Sequence, residues 1–90
     1  MTPAQKAIEH ARAHHDEYMA GFVELLRIPS VSADPAYKAD IERCADWIVA
    51  EMQRIGFNNC RKIPTSGHPV VYGDWLNAGA DKPTVVIYAH

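Results

Sequence analysis

Chemistry in this chain has to start from its histidines, cysteines and carboxylates, and one histidine stands apart by its setting. His90 comes after the run Thr84–Ala89, written TVVIYA, whose apolar residues do not alternate with polar ones. A continuous Val and Ile run reads as a strand covered on both faces, whereas a half-wet strand alternates. In open α/β sheets, sites form in the crevice beyond the carboxyl ends of the strands. A histidine set directly after such a strand is held rigidly there. It can offer a neutral ring nitrogen to zinc once an acceptor fixes its other N–H. His90 is therefore the candidate metal ligand. The plainer reading is an edge strand of a small helix-and-sheet domain that carries a histidine after it.

Other residues invite a functional reading and give less. His10 and His14 lie one helical turn apart in HARAHH and could grip a metal from one face. The Glu of a His-Glu-x-x-His site is missing, so zincin chemistry is not supported. With Glu9, Arg12, Asp16 and Glu17 around them, a solvated helix face accounts for both. His68 precedes Pro69 in a turn. Ser30, Ser32 and Ser66 have no Gly-x-Ser-x-Gly elbow, which argues against a serine hydrolase. Ser32 and Asp34 are explained by turn and cap roles. The segment GADKP is not a phosphate loop, and neither glycine-rich nucleotide fingerprint is present. Trp47, Trp75 and Tyr88 read as packing residues. No residue among the 90 is assigned a catalytic role.

The elements that would position His90 are predicted from pattern. Apolar residues at Ile8, Ala11, Tyr18, Phe22, Leu25 and Leu26, a period interrupted only at His15, predict one helix from Ala4 to about Ile28. Pro3 suits its first turn, and Pro29 ends it by pushing Ile28 out of the α region. IPSVSADP is a linker. Asp34 before Pro35 predicts the N-cap and first position of a second helix, without a capping box, because Tyr37 stands where Glu or Gln is needed. Ile41, Cys44, Ala45, Ile48, Met52 and Ile55 form its apolar stripe, Trp47 widens it, and Gly56 is its left-handed C-terminal cap. FNNCRKI, PVVYGDWL and TVVIYA predict three strands, with PTSGH as a turn and NAGADKP as a loop. Gly73 marks a bulge or bend. The expected class is α/β: two N-terminal helices followed by three strands.

Composition narrows the class further. Ninety residues make one domain or part of one, and a chain of this size buries only about 60% of the surface it exposes when unfolded. Nine Lys and Arg are scattered through a chain of net charge −2, so no basic block is present to neutralise a row of phosphates. A nucleic acid partner is not expected. Nothing approaches the length of a membrane span, and the N-terminus lacks signal-peptide character. The expectation is a soluble cytoplasmic protein. Cys44 and Cys60 lack metal-type spacing and are read as reduced thiols that pack.

Four segments carry a resemblance. LLRIPSVSADP, CADWIVAEMQRIGF, GHPVVYGDW and KPTVVIYAH, in this order and at these intervals, resemble the N-terminal segment of the carnosinase-like dipeptidases. These are a branch of the co-catalytic zinc metallopeptidases, which also include aminoacylases, glutamate-releasing carboxypeptidases and succinyl-diaminopimelate desuccinylase. The resemblance covers the chain from about Leu25 onward. It implies that residues 1–90 are the incomplete front part of a zinc-peptidase-like α/β catalytic domain. His90 then matches the histidine of a His-x-Asp motif that binds one of two zinc ions, with the aspartate two positions further on. The bridging carboxylate, the general-base glutamate, the remaining ligands and the lid or dimerisation domain have no counterpart here.

The resemblance thus implies a zinc-dependent dipeptidase that hydrolyses the amide bond of small peptides and works as a homodimer. The 90 residues alone are expected to be inactive. An N-acyl amino acid deacylase of the same family is the nearest alternative. From a different class comes a non-catalytic interaction module that pairs its sheet edge with a partner. Val85–Ala89 contain no charge, proline or bulge of the kind that protects an exposed edge. That favours the enzyme segment, and it implies that the isolated chain self-associates.

Overall fold

The computed structural model describes all 90 residues, Met1–His90. The chain is a mixed α/β protein with three α-helices and one two-stranded antiparallel sheet. It divides into two compact units, Met1–Cys44 and Ala45–His90.

The first unit holds α1 (Pro3–Ala13), α2 (His15–Leu26), a 3-10 turn at Pro35–Tyr37, and the start of α3 (Lys38–Arg54). Thr2 and Gln5 form a reciprocal capping box: Thr2 Oγ1 accepts from the Gln5 N–H at 3.1 Å, and Gln5 Oε1 accepts from the Thr2 N–H at 2.7 Å. Two of the orphan amides at the helix entrance are thereby satisfied. The single helix expected over Ala4–Ile28 is instead two, interrupted at His14. His14 adopts φ −108° and ψ 16°, outside the helical basin. Its ring Nδ1 reaches back 2.8 Å to the His10 carbonyl, which already accepts the His14 backbone N–H at 3.1 Å. A side chain that inserts into the i→i−4 ladder is a known cause of helix kinks. The ladder resumes with the Tyr18 N–H donating to the His14 carbonyl at 3.0 Å. Asp34 caps as its sequence predicts, with Oδ1 accepting from the Ala36 N–H at 2.9 Å. The turn it caps is 3-10, and α3 proper begins at Lys38.

The second unit holds the rest of α3 and a β-hairpin. Gly56, at φ 97°, ends the helix in the left-handed conformation. The Phe57 N–H donates to the Met52 carbonyl at 2.9 Å and the Gly56 N–H to the Gln53 carbonyl at 3.1 Å. Those two bonds are the Schellman pair. Nearby, Arg54 holds the Glu51 carboxylate through Nε and Nη2. This hydrogen bonding, with the guanidinium charge, keeps the Glu51 carboxyl below its ordinary pKa. Its contribution to the helix end is present above the unfolded carboxyl range and is lost as pH falls through the folded value.

Strand β1 (Asn58–Ile63) pairs antiparallel with β2 (Val70–Asp74), with Arg61 opposite Tyr72, Lys62 opposite Val71 and Ile63 opposite Val70. PTSGH turns as expected: Thr65 Oγ1 accepts from the Gly67 N–H at 3.0 Å and donates to the His68 carbonyl at 2.6 Å. The register shifts between Asn58 and Arg61. The extra residue of the bulge therefore lies on β1 and not at Gly73, and Asn59 takes φ 56° there. Asn is among the few side chains that tolerate this region. Gly73 is small for another reason. A Cβ on it would stand 2.8 Å from Met52 Sδ and 3.3 Å from Cys60 Sγ. The close approach lets β2 lie against α3, and Lys62 pins the same face through a 2.8 Å ion pair with Asp46.

The third expected strand does not form: Thr84–Ala89 belong to no strand. A strand exists only by its ladder, and this run pairs with neither strand of the sheet. Only Ile28 and Ala45 are buried apolar residues. No helix is long and apolar enough to cross a membrane.

Gly73→Val is expected to push the Met52 thioether aside and destabilise the hairpin unit by about 1 kcal/mol, the low end of the usual overpacking cost. Chemical denaturation at monomeric concentration measures it. Met52→Ala in the same chain vacates the contested space and is expected to recover part of the loss, with a coupling of at least about 0.5 kcal/mol.

Candidate functional site

His90 is exposed, and its ring centroid lies 6.3 Å from that of Tyr88, tilted by 48°. The four residues from Val85 to Tyr88 are 82%, 89%, 87% and 81% exposed. No three His, Cys, Asp or Glu side chains stand together in a group that could hold a metal ion. A catalytic zinc takes about three protein ligands and keeps one open position. The residues present do not complete such a site: His90 offers one imidazole.

The other sequence candidates fall where local structure uses them. His10 and His14 are brought together on one turn of helix, with ring centroids 4.0 Å apart and planes 27° from parallel. Tyr18 continues the row, 6.1 Å from His14. Asp34 is a cap, and its carboxylate is occupied by the Ala36 amide. His68 lies in the hairpin turn, its carbonyl taken by Thr65. Cys44 and Cys60 are free thiols, half-buried.

One cluster has no counterpart among the sequence motifs. Across the exposed face of the hairpin, the Arg61 guanidinium sits 4.6 Å over the Tyr72 ring and donates to the Asn59 carbonyl at 3.0 Å. The Tyr72 hydroxyl donates to Asp74 Oδ2 at 2.8 Å, and Asn59 Nδ2 donates to both oxygens of the same carboxylate at 3.2 and 3.1 Å. Tyr72 and Asp74 share a face because they are two apart on one strand. Arg61 joins them because it is the direct partner of Tyr72 across the ladder. Strand alternation can be read from the sequence; the register that matches Arg61 to Tyr72 cannot. Chemically the cluster is a surface lock. The Asp74 carboxylate is surrounded by donors, and the Arg61 cation is stacked.

The hydrogen bond to Asp74 raises the Tyr72 pKa above its ordinary value, with the carboxylate charge adding to the effect and Arg61 opposing it. The chain matches no protein-family model, and comparisons with curated proteins and with solved structures also returned no match.

The Tyr72 phenol is expected to titrate above the ordinary value of about 10 in a spectrophotometric titration. Asp74→Asn removes the charged acceptor and moves the midpoint down. The lock stabilises the fold below the unfolded phenol pKa, and that contribution is lost as pH rises through the folded one.

Proposed function

We propose that this chain is the N-terminal segment of a zinc-dependent dipeptidase catalytic domain, with His90 as one zinc ligand and no activity in the 90 residues alone. One observation carries the reading: Val85–Tyr88 form an apolar run left more than four-fifths exposed, with His90 two residues further on. Burying a Val or Ile side chain is worth about 1.5–3 kcal/mol, so such a run is built to be covered. The order and spacing of LLRIPSVSADP, CADWIVAEMQRIGF, GHPVVYGDW and KPTVVIYAH, which resemble the carnosinase-like dipeptidases, support it too.

In a complete site of that kind His90 would be one of the residues that hold zinc, which would supply Lewis-acid chemistry for amide hydrolysis. The contribution assigned to this chain is positional. Covered on both faces, the strand stops His90 from wandering and presents one ring nitrogen at its carboxyl end. The substrate class is a small peptide with a free carboxylate. An N-acyl amino acid is the closest competitor, since both are amides adjacent to an amino-acid carboxylate. The two-zinc complement, the homodimer and the cytoplasmic setting belong to the same proposal.

The test reads the coding sequence past the codon for His90 and assays what it encodes. The expected frame has Asp two codons on and further Asp, Glu and His downstream. Its product hydrolyses dipeptides with zinc, and His90→Ala lowers kcat/KM by at least about a hundredfold, the upper cost of losing even an outer-shell partner. The 90-residue chain alone shows no hydrolysis. A stop codon after His90, or robust zinc-dependent hydrolysis by the 90 residues, overturns the reading.

A further inference from the structure

The break at His14 brings together more than a kink needs. The carbonyl oxygen of His10 can only accept, so the His14 Nδ1 that lies 2.8 Å from it carries the proton. A neutral His14 ring therefore has its lone pair on Nε2, pointing away from the backbone bond. Metal-binding histidines are held in just this way, with the second ring nitrogen donating to a backbone carbonyl. The ring of His10 stands face to face with it, centroids 4.0 Å apart. Copper and nickel take imidazole nitrogens in square-planar or tetragonal sites, with each ring's lone pair aimed at the ion. Chelation requires the rings to turn out of this near-parallel stack, by rotation about the His10 side-chain bonds, until both lone pairs meet at one ion.

We propose that His10 and His14 form a two-imidazole site for a borderline divalent cation, with Cu²⁺ bound more tightly than Ni²⁺. The site is separate from His90 and does not depend on the dipeptidase reading. His14 binds through Nε2 and keeps its Nδ1–H on the His10 carbonyl. Both rings are accessible: His10 is exposed and His14 half-exposed. The surrounding charges do not oppose a cation, with Glu9, Asp16 and Glu17 set against Lys6 and Arg12. Because His14 is also where α1 gives way to α2, a cation held by both rings clamps the turn that spans the break.

Calorimetric titration of the 90-residue chain with NiCl₂ and with CuSO₄ tests this, alongside the variants His10→Gln, His14→Gln, His15→Gln, His68→Gln and His90→Gln. The expected result is one saturable site per chain that weakens about tenfold or more in His10→Gln and in His14→Gln and is unchanged in the other three. Zn²⁺ titrated with ¹⁵N-detected imidazole NMR is expected to shift His14 Nε2 and leave Nδ1 protonated. No saturable binding, affinity kept in either His10→Gln or His14→Gln, equal loss in any other histidine variant, or coordination through His14 Nδ1 overturns the site. These side chains are at the surface, and because the His14 ring also bonds the His10 carbonyl, circular dichroism of His14→Gln separates loss of binding from a changed helix.

Discussion

Removing apolar surface from water is the dominant favourable term in folding, and this chain does little of it. Ile28 and Ala45 alone are buried, while Phe22, Leu26, Leu76 and the whole of Val85–Tyr88 stay in contact with solvent. Covering Val85, Val86 and Ile87 would be worth about 5–9 kcal/mol at the usual side-chain value. That compares with the roughly 5–15 kcal/mol that separates folded from unfolded states in ordinary domains. With so little burial, local devices matter more. The capping box at Thr2, the Asp34 cap, the Schellman turn at Gly56 and the Thr65 turn each hold shape without needing a core.

The hairpin unit shows how much can be built on one close contact. Gly73 lets β2 approach Met52 and Cys60, Lys62 ties the same face to Asp46, and the bulge at Asn59 turns the opposite face outward. The bulge also brings the Asn59 side chain to Asp74, so strain at one backbone position is offset by two hydrogen bonds. Asp74, at the end of β2, fixes Tyr72, and Tyr72 carries Arg61. Each of these ion pairs and stacks is worth little at the surface on its own.

Punctuation is what the sequence makes legible. Asp34 before Pro35, Gly56 after a long apolar stripe, and a Thr-Ser-Gly turn each act through their own backbone, so neighbours in sequence suffice to read them. Thr2 and Gln5 are spaced for the capping box in the same local way, although Pro3 is the more conspicuous signal there. The apolar period falters at His15, beside the break, but the break itself is not legible, because it comes from the His14 ring bonding the carbonyl one turn back. A glycine at position 73 suggests a bulge, but its need is a helix that crosses behind it, which no local pattern reports. The run Val85–Ala89 reads as a strand, yet a strand needs a partner, and nothing in this chain supplies one.

That leaves one physical claim at the centre, that Val85–Ala89 is a core strand awaiting its cover so that His90 can be held as a ligand. Amide hydrogen exchange at these residues tests it most directly, in the dilute 90-residue chain and in the polypeptide that continues past His90. Near-unprotected exchange is predicted in the first, and exchange as slow as the slowest core amides in the second. Strong protection in the dilute 90-residue monomer, or none in either, would contradict it.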